Sequence, residues 1–119
     1  MPTASGHTTA IRASRVIGTK VLTKSGDEIG EVGDVILDKT TDRIMFAVLA
    51  RDGALTATHN FYPVPWALLD YDDGQEAYVV PFSRDDFAKA PAVANPSDLT
   101  ESDGTTCRNA AQDYFKAAS

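Results

Sequence analysis

The stretch from Gly26 to Leu49, GDEIGEVGDVILDKTTDRIMFAVL, constrains the fold more than any other part of this chain. It reads as two β-strands joined by a polar turn. Side chains alternate between the faces of a strand, so Ile44, Phe46 and Val48 share one face of the second strand and Met45, Ala47 and Leu49 share the other. An antiparallel sheet with one wet face has polar residues at alternate positions. Here neither set is polar. One face must line the core, and the other must be covered by another part of the chain or by a second copy. The first strand, Ile29 to Asp38, does not keep one parity: Val32 belongs to the even set, Val35 and Leu37 to the odd. A phase change near Gly33-Asp34 predicts a β-bulge, and bulges bend strands as a small barrel requires. The pattern predicts the central hairpin of a small antiparallel β-barrel.

The other segments fit around that hairpin. Residues 1–10, MPTASGHTTA, are small, polar and without periodicity, and predict a flexible arm in which His7 is solvated. Ile11 to Thr23 predicts a first strand region with a bend at Gly18, followed by turn chemistry at Ser25-Gly26-Asp27. Asp38 to Arg43 is too long for a two-residue turn, and Asp42 tolerates left-handed backbone better than most residues. Arg51 to Asn60, with His59, predicts a loop. Pro63 and Pro65 each remove a ladder donor, so the segment around them fits only an edge or closing strand. Trp66 there predicts a plug at the barrel end. Asp72-Asp73-Gly74-Gln75 predicts a hairpin turn. Ser83 and Asp86 predict a capping box for a short helix that Pro91 stops. Asn95-Pro96-Ser97-Asp98 predicts a helix cap with Pro96 at the first helical position, and Asp103-Gly104 breaks that helix. Cys107, Ala110, Ala111, Tyr114, Phe115 and Ala118 then form one stripe of a terminal helix.

Composition excludes several functions. The formal net charge is −6, from 11 basic and 17 acidic residues. Phosphate recognition needs clustered lysine and arginine, so nucleic acid is disfavoured as a partner. A spanning helix needs ~20 apolar residues, and the longest apolar run is Ile44 to Ala50. The start of the sequence lacks the apolar core of a signal peptide, and the single cysteine excludes an internal disulfide. A cytoplasmic protein is expected. No G-x-S-x-G, phosphate-binding loop, H-E-x-x-H or C-x-x-C pattern occurs, so no catalytic, cofactor-binding or metal residues are assigned. Asp34, Asp38 and Asp42 recur every four residues but read as strand-end and turn residues, without calcium-loop spacing. Asp85 and Asp86 are adjacent and read as dipole and cap residues. Cys107, near a helix start where the dipole lowers a thiol pKa, reads as a packed structural cysteine with redox sensing as the alternative.

The ordered set of Gly18 and Val21, Gly26, Gly30, Val32, Asp34, Val35, Leu37 and Asp38, then Arg43-Ile44, Ala47-Val48-Leu49, and Val64-Pro65-Trp66 with Leu68, resembles the PRC-barrel family over residues 11–94. That family includes the cytoplasmic domain of the photosynthetic reaction-centre H subunit, the C-terminal domain of a ribosome maturation factor, and stand-alone bacterial and archaeal proteins. The resemblance implies a mostly β fold, a small antiparallel barrel with short helices at its C-terminal side, and contacts with macromolecules in place of catalysis. With no membrane helix or additional domain ahead of the barrel, the stand-alone bacterial type is the closer match. Asp42 stands where the family often has glycine. The expected organisation is an arm over 1–10, the barrel over 11–94, and a linker and helix over 95–119.

The expected core is Val32, Val35, Leu37, Ile44, Phe46, Val48, Val64, Trp66 and Leu68. The expected function is a non-catalytic interaction or scaffold module. It would form a homodimer through Met45, Ala47, Leu49, Tyr114 and Phe115, with an unidentified protein as a further possible partner and no cofactor. One alternative is an accessory factor in RNA processing or ribosome assembly, for which Arg12, Arg15 and Lys20 form the one modest basic cluster. Another is a ligand-binding barrel with a pocket beneath Trp66 and Tyr62.

Overall fold

The chain enters its sheet between two glycines with left-handed backbone, Gly18 at φ +94° and Gly26 at φ +92°. In the computed structural model, which describes residues 11–51 and 60–118, one helical turn, α1 (Ala13–Val16), precedes the first glycine. Strand β1 (Lys20–Thr23) lies between the two. The extended region expected from Ile11 onward is thus confined to its last four residues. Local bonds close the turn instead: the Ile17 N–H donates to the Ala13 carbonyl at 3.1 Å, and the Thr19 hydroxyl donates to the Arg15 carbonyl at 2.7 Å. This drops Val16 into the core and turns Ile17 to solvent. The arm expected over residues 1–10 with His7, and the loop with His59, lie outside the described residues.

The hairpin forms as β2 (Glu28–Asp38) and β3 (Arg43–Arg51). Val32 pairs with Leu49 and Asp34 with Val48, so Gly33 is the extra residue of a bulge, at the position where the parity changes. The connecting turn is held by Asp38, whose Oδ1 accepts from the Thr40 hydroxyl at 2.6 Å and the Thr40 N–H at 2.9 Å. Asp42 takes the left-handed conformation at φ +60°. Strands β4 (Phe61–Val64), β5 (Asp70–Asp72) and β6 (Ala77–Val80) follow, with a 3-10 turn over Trp66–Leu68 between the first two. Helix α2 (Arg84–Ala88) begins in the expected capping box: the Asp86 N–H donates to Ser83 Oγ, and the Ser83 N–H donates to the Asp86 carboxylate. A 3-10 stretch over Pro96–Gly104, broken by non-helical backbone at Glu101, Ser102 and Asp103, leads into α3 (Thr105–Ala118).

The six strands form one sheet in the order β4-β3-β2-β1-β6-β5. All neighbours are antiparallel except β1 and β6, which run parallel. No ladder joins β4 to β5 among the described residues, so the sheet stays open where a closed barrel was expected. It nevertheless curls, because residues from opposite ends of the strand order meet in one core. Val21, Val32, Leu49, Val64, Tyr78 and Val80 belong to a single buried cluster. Aromatic rings meet where no ladder forms: Tyr62 of β4 lies 4.3 Å from Phe87 of α2, and Phe82 lies 4.6 Å from Phe115 of α3.

Candidate interaction surface

Both faces of β3 are covered within the chain. Ala47 and Leu49 point into the main core, each 0 % exposed. Phe46 and Val48 point the other way, into a second buried cluster closed by Leu99 and Cys107 from the C-terminal segment, with Ile36, Met45, Phe61 and Val93 packed around it. Met45 departs from its expected face. Ile36 pairs with Phe46 and Leu37 with Ile44, leaving Met45 as the extra residue of a second bulge. The two residues on the long side of such a bulge no longer alternate, so Met45 joins Phe46 on the outer cluster.

The interface expected at Met45, Ala47, Leu49, Tyr114 and Phe115 is therefore not an open surface. Ala47, Leu49 and Phe115 are buried, and Met45 is half-buried beneath Gly104. Tyr114 is half-buried, with its hydroxyl donating to the Asp86 carbonyl at 2.6 Å. Of the expected core, Val32, Phe46, Val48 and Val64 are buried, and Val35, Ile44, Trp66 and Leu68 are half-buried. Leu37 is the clear departure, at 67 % exposure. Strand parity aims it toward the core side, but it lies next to the turn, at the end of the sheet, where there is no further layer to meet it.

That end of the sheet carries an apolar groove. Ile11, Ala13 and Val16 from the N-terminal segment, Val35 and Leu37 from β2, Ile44 from β3, and Trp66 line a cavity of about 360 Å³. Seven residues from four separated segments converge there, and none of them is charged. Across Ile44 and Trp66 lies a second cleft of about 240 Å³, walled by Ile44, Met45 and Phe46, by Pro65, Trp66 and Ala67, and by Arg108, Ala111 and Gln112 of α3. Trp66 is a shared wall of two surface cavities, not a buried plug. Its indole lies 5.9 Å from the Tyr78 ring, edge to face. Sequence reasoning missed Ile11, Arg108 and Gln112. The one signal for the last two was their i, i+4 spacing beside the apolar stripe of α3.

The titratable groups hold structural positions. Asp38 is held below the usual carboxylate range by the Thr40 hydroxyl and then the Thr40 amide, and Asp34 accepts from the Val35 N–H. These are turn and strand roles. Burial pushes the Cys107 thiol up, and Asp98 and Glu101 add to the effect. The thiol donates to the Asp98 carbonyl at 3.6 Å. Its environment is the reverse of one that produces a reactive thiolate. Burial also raises the Tyr78 phenol to about 12, with Tyr71 contributing. Among the described residues no group of three or more His, Cys, Asp or Glu is placed to hold a metal ion. No described helix is long and apolar enough to cross a membrane.

Comparison with curated proteins finds no match. The family model for the PRC-barrel domain matches residues 8–87, a span that takes in the whole six-stranded sheet. The chain belongs to the PRC-barrel domain family.

Proposed function

We propose that this PRC-barrel chain is a non-catalytic interaction module that pairs with a second copy of itself through the apolar groove at the end of its sheet. The observation that carries this reading is Leu37, 67 % exposed, standing in the wall of a cavity of about 360 Å³. A two-fold contact is self-complementary, so a patch holding both a protruding side chain and a recess can satisfy itself. The strand edges favour side-chain packing over sheet extension. On β4, Pro63 has no N–H, and Phe61 exchanges both of its backbone bonds with Val93, at 2.8 and 2.9 Å. The β5 edge is three residues long and carries Asp70 and Asp72. Short, proline-blunted or charged edges resist pairing with another sheet.

A dimer held in this way would be weak. Burying a leucine or isoleucine fully contributes about 1.5–3 kcal/mol. Leu37 and Ile11 from each protomer, already partly covered, together supply several kcal/mol, while association costs at least about 4 kcal/mol. Sedimentation over roughly 10 µM to 1 mM, the window in which weak dimers dissociate, tests the reading. The weight-average mass should rise with concentration for the native chain and stay monomeric for Leu37→Lys. A native chain that stays monomeric throughout, or a Leu37→Lys variant that dimerises equally well, overturns it.

A further inference from the structure

The cleft on the far side of Trp66 differs in chemistry from the groove beside Leu37. Its floor and one wall are apolar, from Ile44, Met45, Phe46, Pro65 and Trp66, and its other wall carries Arg108 and Gln112. These two lie one turn apart on α3, so they project from the same side of the helix. Ala111 between them is 1 % exposed and forms the base. The guanidinium of Arg108 has one hydrogen bond among the described residues, from Nε to Asn109 Oδ1 at 3.4 Å. That bond leaves both of its terminal nitrogens available. Gln112 is exposed, and its side-chain amide makes no hydrogen bond among the described residues. Apolar walls with a few convergent donors are the features of a ligand site.

We infer that this cleft binds a compact apolar carboxylate, with the acid group on Arg108 and Gln112 and the apolar body against Trp66, Met45 and Ile44. A planar guanidinium pairs with a carboxylate through two parallel bonds, which favours this anion over a halide or an alcohol. The volume of about 240 Å³ falls just under the ~300–1,000 Å³ of sites for drug-sized molecules. A single ring or a short branched chain fits, and a nucleotide or flavin does not. The same chemistry is presented by a free acid and by the C-terminal residue of a peptide. This inference goes beyond self-association and does not depend on it, because Leu37 is not among the lining residues.

The chain contains one tryptophan, so Trp66 fluorescence reports on the two cavities it walls, and the Arg108 variant assigns a response to this cleft, because Arg108 lines it and not the groove. The experiment titrates the native chain at ~5 µM, below the expected dimer range, with phenylacetate, 4-methylvalerate and N-acetylglycylphenylalanine. Phenylacetamide is the uncharged control. Saturable fluorescence change with at least one acid, and at least about tenfold weaker response to the amide, is expected for a charge-assisted contact. Arg108→Met, on a partly exposed helix face, should weaken the acids by about tenfold or more while leaving the amide unchanged. Leu37→Lys should bind the acids as the native chain does, even where it abolishes the dimer. A response to the free acids alone identifies a small molecule as the occupant, and a response to the peptide alone identifies a chain terminus. Absence of saturation by any of the three acids overturns the inference, as does equal binding of acid and amide or an Arg108→Met variant that binds unchanged.

Discussion

Gly104 gives the sharpest test of how the C-terminal segment docks on β3. It follows Ser102 and Asp103, which have φ of +53° and +57°, and is itself at φ +80°. A Cβ placed on Gly104 would lie 2.7 Å from Met45 Sδ. Gly18, at φ +94°, has nothing within 4 Å of the same position. The two glycines therefore separate a backbone cost from a packing cost. Gly18→Ala should cost about 1 kcal/mol, since left-handed backbone penalises a side chain by roughly 1–2 kcal/mol and the stiffer unfolded chain returns part of it. Gly104→Ala bears the same backbone cost and must also displace Met45. Methionine is unbranched and yields, so driving it off its rotamer adds about 0.5–1.5 kcal/mol. The expected difference between the two variants is about 1 kcal/mol, or roughly 4 °C in Tm for a chain of this size. Urea denaturation of Gly18→Ala, Gly104→Ala, Met45→Ala and the Gly104→Ala, Met45→Ala pair measures it. The double variant should show a favourable coupling of about 1 kcal/mol, because removing Met45 removes the obstacle. Equal costs at the two glycines, with no coupling to Met45, would refute the docking of the 96–104 segment onto the bulge of β3.

Two further outcomes test the assignment of buried and exposed positions. Phe46→Ala should destabilise by about 3–5 kcal/mol in the same assay, as a cavity in a covered cluster does, whereas Leu37→Ala should change stability by less than about 0.5 kcal/mol. Tyr78 predicts a loss of stability at high pH. Its phenol titrates near 12 in the fold against ~10 unfolded, so the native state holds the proton longer. Its contribution is complete below pH 10 and declines between pH 10 and 12, by at most about 1.4 kcal/mol per unit. Phenolate absorbance should show the Tyr78 phenol titrating late, and Tyr78→Phe should remove that late component and flatten the decline.

The features legible in the sequence were those with a polar–apolar contrast. Val32 against Val35 and Leu37 exposed the bulge at Gly33, because polar residues around them marked the phase. Ser83 and Asp86 announced a cap through their spacing, and Pro63 announced an edge through its missing N–H. The second bulge, at Met45, left no such mark. Every neighbour of Met45 in β3 is apolar, so a slip of one residue changes nothing in the pattern while moving the side chain to the other face. Leu37 failed for a different reason. Parity tells which face a residue occupies but not how far along the strand the core extends. The groove depends on Ile11 meeting Ile44 and Trp66 and the cleft on α3 meeting the same two residues, and local periodicity carries no information about that convergence.

The two apolar faces of β3 pose the same problem whether a chain solves it alone or with a partner. In this chain the outer face is closed by Leu99 and Cys107, a region beginning some fifty residues after β3 ends. The apolar strand is then a signal for folding, and the proposed association rests instead on Leu37, which local patterning placed inside, and on Ile11 beside it. Leu37 and Ile11 are exposed although nothing in the chain's composition forces them to be, and each could be polar without disturbing the buried clusters. An exposed leucine alone is ordinary. An exposed leucine in the wall of an apolar recess, on a sheet whose edges carry Pro63, Asp70 and Asp72, is a surface that discourages strand addition and leaves side-chain docking as the available contact. The C-terminal segment thus does two things at once. It satisfies β3, and it adds Arg108 and Gln112 to the wall of an otherwise apolar cleft, the two groups on which the proposed carboxylate preference rests.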